Sequence, residues 1–256
     1  MHRVSQERER DARAMQVIAR EFTVRADARS VPGMLWSEEG PPRRRPLVLI
    51  GHGGSQHKTH PGVVELAERF VRDHGFVVAA IDGPIHGARR AAPLAGPQMQ
   101  AEFLALWPKD DRIDAMVADW RAAVDALVRM DEVEPSAIGW YGVSMGTAYG
   151  LPLIAAERRI RAAVLGMWGV EFVNSARLGV AARDVQCPVL FQQKWDDQLF
   201  TREGQLALFE CLGTRQKWLK IYPGAHVPVA GEQADDVLQF LATRLGALSH
   251  GTRDER

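Results

Sequence analysis

Apolar residues come in two patterns along the chain. Short continuous runs occupy 47–50, 76–81, 137–141, 160–166 and 188–193, with a further run at 218–222. Runs of this length and uniformity predict strands, most of them buried on both faces as in a parallel sheet. Between them, apolar residues return every three or four positions. In 61–74, Val63, Leu66, Ala67, Phe70 and Val71 share one helical face, and Gly75 ends the helix. In 113–130 the stripe is Ile113, Met116, Val117, Trp120, Val124, Leu127 and Val128. Helices are also predicted at 147–156, 203–212 and 233–248. Strands alternating with helices imply an α/β fold: a doubly wound, mostly parallel sheet with helices on both faces.

Three stretches depart from that alternation. Residues 1–20 are highly charged and predict a helical arm. Two alternating runs, 21–26 and 33–37, separated by Ser30-Val31-Pro32, predict an antiparallel hairpin. Residues 82–112 carry Pro84, Pro93, Pro97 and Pro108; a segment this long inside a compact domain predicts a small lid, with one helical turn around 99–107. Residues 167–183 read as irregular and aromatic, and 249–256 as a flexible tail. There is no internal repeat.

Composition narrows the class. The chain has 256 residues, 46% of them hydrophobic, enough for one large core in a single domain spanning 1–256. Lys plus Arg and Asp plus Glu both number 32, and the basic runs Arg43-Arg44-Arg45 and Arg89-Arg90 are short, so no nucleic-acid partner is expected. Two cysteines, Cys187 and Cys211, are expected as buried free thiols. No run of eighteen apolar residues occurs and the N-terminus lacks the apolar stretch of a secretory signal. No membrane association is expected, and the expected location is cytoplasmic.

The chemistry centres on Gly142-Val143-Ser144-Met145-Gly146. It lies between an apolar strand and a small-residue apolar helix, which is the setting of a nucleophile elbow. A serine hydroxyl needs a base, and the base an orienting acid, in the chain order serine, acid, histidine. Two histidines follow Ser144. His250 sits in the polar tail; His226 lies just beyond a strand, at the carboxyl edge where open α/β sheets carry their sites. The acid should leave the preceding strand, where Asp196 and Asp197 adjoin. Asp197-Gln198-Leu199-Phe200 has the spacing of such an acid, with Asp196 the alternative. Oxyanion donors are expected from the N–H groups of Met145 and Gly54, the latter in the glycine-rich loop after the first parallel strand.

Taken together, Gly51-His52-Gly53-Gly54, Asp82-Gly83-Pro84-Ile85-His86-Gly87, Gly142-Val143-Ser144-Met145-Gly146, Trp195-Asp196-Asp197 and Pro223-Gly224-Ala225-His226 resemble the α/β-hydrolase superfamily. Within it, the chain looks most like the dienelactone-hydrolase-like and related esterase branch, over residues 20–248. The resemblance implies hydrolysis of a small-molecule carboxylic ester with no metal or organic cofactor. Thioester, lactone or amide hydrolysis by the same machinery, or ligand binding on the same fold without catalysis, are the alternatives. Dienelactone hydrolase itself uses a cysteine where this chain has Ser144, so its substrate is not carried over. His52, His57 and His60 cluster without the carboxylate or cysteine of a metal site, and His52 is expected to brace the oxyanion loop. His86, Trp107, Trp168 and Trp195 are candidate substrate contacts. Oligomeric state is not legible.

Overall fold

The computed structural model describes residues 16–109 and 112–246. Eight strands form one sheet: β1 (Val17–Ala26), β2 (Arg29–Glu38), β3 (Arg45–Ile50), β4 (Val77–Ile81), β5 (Val133–Tyr141), β6 (Ile160–Gly166), β7 (Val189–Lys194) and β8 (Lys217–Tyr222). Their order is β1-β2-β4-β3-β5-β6-β7-β8. β2 runs antiparallel to both β1 and β4, and every pairing from β4 through β8 is parallel.

Among the described residues seven α-helices connect and cover it: α1 (Pro61–His74), α2 (Gly96–Leu106), α3 (Ile113–Leu127), α4 (Met145–Ala156), α5 (Ala176–Ala182), α6 (Arg202–Cys211) and α7 (Glu232–Leu245). The alternation of side chains along each strand divides the core in two. Leu47, Leu49, Val77, Ala79, Ala163 and Leu165 face a layer containing residues of α3, α4, α5 and α6. Val48, Ile50, Val78, Ala80, Ala162 and Val164 face α1 and α7. Because both faces are covered, the central strands read as unbroken apolar runs. The expected face of α1 is the buried one, residue for residue, and Gly75 ends the helix at φ 66°.

The structure corrects four expectations. The first strand starts at Val17, so 17–20 are not helical; residues 1–15, the rest of the expected arm, lie outside the described residues, as does the 249–256 tail. The hairpin turn falls at Asp27 and Ala28, between the partners Ala26 and Arg29, not at Ser30-Val31-Pro32, which are within β2. The single turn expected around 99–107 is the eleven-residue helix α2. The segment 167–183 contains α5, with Leu178, Gly179 and Ala182 buried.

Candidate active site

Ser144 sits between the end of β5 and the first residue of α4, at φ 57° and ψ −124°. That is the left-handed region, strained for any residue with a Cβ. The surroundings over-determine it. The N–H of Ser144 donates to the Gly166 carbonyl at 2.9 Å. The Thr147 hydroxyl accepts from the Gly166 N–H at 2.8 Å and has the carbonyls of Gly142 and Gly166 at 2.9 and 2.7 Å to receive its proton. Gly146 passes so close to β3's outgoing loop that a Cβ there would stand 2.3 Å from the Gly51 carbonyl oxygen. Only glycine permits that approach.

The turn presents the serine hydroxyl to a histidine. His226 Nε2 lies 3.0 Å from Ser144 Oγ, and His226 Nδ1 lies 2.9 Å from Asp197 Oδ2. A carboxylate only accepts, so the ring proton belongs on Nδ1 and the Nε2 lone pair faces the hydroxyl. Asp197 Oδ1 accepts the N–H groups of Leu199 and Phe200 at 2.9 and 3.0 Å. Burial alone would raise the Asp197 carboxyl; the bond to His226, that ring's charge and the two amides outweigh burial and hold it below its ordinary range. Asp196 points elsewhere: its Oδ2 accepts the Gly224 N–H at 3.3 Å and so ties down the loop that carries His226.

Gly54 and Ser144 line one cleft of about 400 Å³. The Met145 N–H is the first of α4 and has no carbonyl one turn back within its helix. The loop holding Gly54 is fixed from behind by two buried histidines. His52 Nε2 accepts the Gly83 N–H at 2.9 Å, which leaves its Nδ1–H to donate to the Gly53 carbonyl at 2.9 Å. In a trans peptide the carbonyl and the following N–H are antiparallel, so the Gly54 N–H is directed away from His52. His86 Nε2–H donates to the Gly54 carbonyl at 3.0 Å. Burial pushes the His52 ring well below its ordinary value, with the nearby His86 adding to it. His86 is pushed down to about 4 by burial, against the partial compensation of its bond to Gly54. Both rings are therefore neutral near pH 7. Lys58 Nζ and Asp82 Oδ2 form a buried ion pair at 2.7 Å that joins the same two loops.

None of the four expected substrate contacts lines the cleft. Trp107 and Trp168 are fully buried. They meet edge to face at 5.0 Å, and their ring N–H groups donate to the Val173 carbonyl and the Ser175 hydroxyl. With Phe103, Phe172 and Phe200 they form an aromatic wedge, whose Phe200 ring lies 5.4 Å from that of His226. These aromatics meet one another because each finds more apolar surface there than at the wet cleft. His86 is also fully buried and contacts the Gly54 carbonyl instead. Trp195 is half exposed, with the Arg202 guanidinium 4.3 Å over its ring. The cleft walls come from smaller residues that the sequence does not flag: Gln56, Val63, Leu66 and Val143, with Gly96, Pro97 and Gln100 of α2 on one side and Val227, Pro228 and Val229 on the other. The available signal for the last three was their position directly after His226. Among the described residues no three His, Cys, Asp or Glu side chains gather as a metal site would, and no described helix is long and apolar enough to cross a membrane.

A sheet of this order, with a serine on a strained strand-to-helix turn and a histidine and carboxylate delivered by later strand ends, defines an α/β hydrolase. The comparisons with known proteins narrow the class: the dienelactone hydrolase family matches residues 40–235, and the chain belongs to that family. It is similar to a cold-adapted esterase from an Arctic intertidal metagenomic library. In the PEG-bound complex of that esterase the identity is 38%, with 90% of this chain and 94% of that one covered and a TM-score of 0.79. The native structure of that esterase matches at 36% identity, 91% and 96% coverage and a TM-score of 0.73. The fold is shared with a dienelactone-hydrolase-like promiscuous phosphotriesterase from metagenomic libraries, at 20% identity, 90% and 99% coverage and a TM-score of 0.69. No curated protein matches the chain. Family and esterase neighbours together place the chain among carboxylic-ester hydrolases.

Proposed function

We propose that the chain hydrolyses small carboxylic esters through an acyl-enzyme on Ser144. The reading rests on the chain of contacts from Ser144 Oγ to His226 Nε2 and from His226 Nδ1 to Asp197 Oδ2, at 3.0 and 2.9 Å. His226 takes the hydroxyl proton as Oγ attacks the carbonyl carbon. The Oγ–C bond forms, and the carbonyl π pair moves onto oxygen. The N–H groups of Gly54 and Met145 receive that oxyanion. When the intermediate collapses, the C–O bond to the alcohol breaks and His226 protonates the leaving oxygen. Water then attacks the acyl-serine, His226 again taking a proton and returning it to Ser144 Oγ. Asp197 holds the ring in the working tautomer and opposes the imidazolium charge. A cleft of about 400 Å³, walled by α2 and the loop after His226, suits a small substrate.

The test is covalent. A fluorophosphonate should label the native chain stoichiometrically, and Ser144→Ala should abolish labelling and lower kcat by about 10⁴-fold or more while the fold survives. A folded Ser144→Ala protein with native esterase activity refutes the serine mechanism.

A further inference from the structure

The mechanism leaves unused one fully buried polar side chain in contact with its acid. Gln205, on α6, is 0% exposed. Its Nε2 lies 3.2 Å from Asp197 Oδ2 and 3.1 Å from the Phe200 carbonyl oxygen. Two acceptors face that end of the amide, so the NH₂ group must point there; turned over, the amide oxygen would face two other oxygens. Gln205 Oε1 is buried with no partner among the described residues. An unpartnered buried acceptor costs stability that an apolar side chain of the same size would not. The amide is thus poorly explained by packing and well explained by what its nitrogen touches.

We propose that Gln205 is a positioning residue for the Asp197–His226 pair. It supplies the fourth hydrogen bond to the carboxylate and locks the oxygen that faces the ring. The proposal rests on the triad reading above. Asp197 Oδ1 has the amides of Leu199 and Phe200; Oδ2 has His226 Nδ1 and Gln205 Nε2. A carboxylate offers about four lone-pair directions, and all are taken. Two donors belong to the acid's own loop and one to the histidine. Gln205 alone ties the group to a helix. That helix is itself fixed: Thr201 caps it by accepting the Gly204 N–H at 3.0 Å, and the Gly204 carbonyl accepts the Val170 N–H at 3.1 Å. Gln205 therefore sets the angle at which Oδ2 meets His226, and through it the direction of the Nε2 lone pair at Ser144.

Other charged groups surround the pair but make their contacts elsewhere. Lys194 reaches the Pro223 carbonyl, Asp196 the Gly224 amide, Arg202 the Trp195 ring, and Glu171 the Thr201 hydroxyl. Glu203, in the first turn of α6, is exposed. None of these is altered by changing Gln205.

Two variants of the full chain test the role, with Asp197→Asn as control. Gln205→Met keeps the volume and removes the donor. It should lower kcat by about 10- to 100-fold with KM within about twofold, and slow fluorophosphonate labelling in parallel. Gln205→Glu keeps the shape and sets a second carboxyl against Asp197 Oδ2. Close buried carboxyls share one proton, so the new side chain donates to Oδ2 while it holds that proton and repels Oδ2 once the proton is lost. Relative to the native chain, kcat/KM should therefore fall by about 10-fold as pH rises and that proton is lost, a pH-dependent change that loss of packing would not produce. A folded Gln205→Met protein with native kcat overturns the proposal, as does a Gln205→Glu pH profile that superposes on the native one. If Gln205→Met does not fold, the Gln205→Glu profile decides alone. An inactive Asp197→Asn beside a fully active Gln205→Met removes only the role of Gln205; a fully active Asp197→Asn removes the triad reading and the proposal with it.

Discussion

Acidification should loosen the protein through the two histidines behind the loop that holds Gly54. His86 is neutral in the folded state and pushed down from 6.5 to about 4. In the unfolded chain it regains its ordinary value. Between those two values the unfolded state binds a proton that the folded state refuses. The stability His86 contributes is therefore complete above about pH 6.5 and is lost as pH falls toward about 4. Going from about pH 7 to about pH 4.5, this one group removes roughly 2 kcal/mol, and His52 acts in the same direction. The physical reason is visible at the ring: His86 Nδ1 is buried with no partner, so a second proton would have no acceptor. The assay is urea unfolding followed by tryptophan fluorescence. With a slope of about 3 kcal/mol/M, the midpoint should fall by roughly 0.7 M for His86 alone. His86→Gln can still donate to the Gly54 carbonyl but does not titrate, so its midpoint should fall less over the same range. Equal acid sensitivity in the native chain and in His86→Gln would refute the reasoning.

Asp197→Asn should cost far more kcat than Asp196→Asn, because only Asp197 orients the His226 ring; steady-state kinetics on both variants rank them, and the reverse order moves the role to Asp196. Trp107→Ala should cost about 3–5 kcal/mol of stability yet leave the ratio of kcat/KM between short and long esters unchanged, since the ring never reaches the cleft; a shifted ratio contradicts that placement. Gly146→Ala drives a methyl against the Gly51 carbonyl, a contact of 2.3 Å before relaxation; thermal melting and labelling should both show damage, and a native-like variant would mean the elbow is looser than described.

The parts of the site that were legible are those set by local sequence. An elbow needs small residues two before and two after the serine, and these stand in one pentapeptide. The contacts that join Ser144, His226 and Asp197 were legible because chain order and strand ends leave few candidates. What long-range pairing decides was not. In β1 the alternation of 21–26 was legible, but 17–20 was not, because this is an edge strand with positions such as Ala19 and Arg20 turned to solvent; only their ladder with β2 makes them strand. The seven residues of α5 are too few for a helical period to stand out. The cleft walls were hidden for a different reason. Large aromatics draw the eye, but Trp107 and Trp168 pack with each other, and the walls fall to glycine, valine, leucine, proline and glutamine, which carry no signal of their own.

The strained backbone at residue 144 is held by groups that never touch its side chain: the Gly166 carbonyl, the Thr147 hydroxyl and the close approach of Gly146 to Gly51. The socket is thus indifferent to what it carries. Whatever side chain stands there leaves the backbone in the same direction, toward the His226 imidazole.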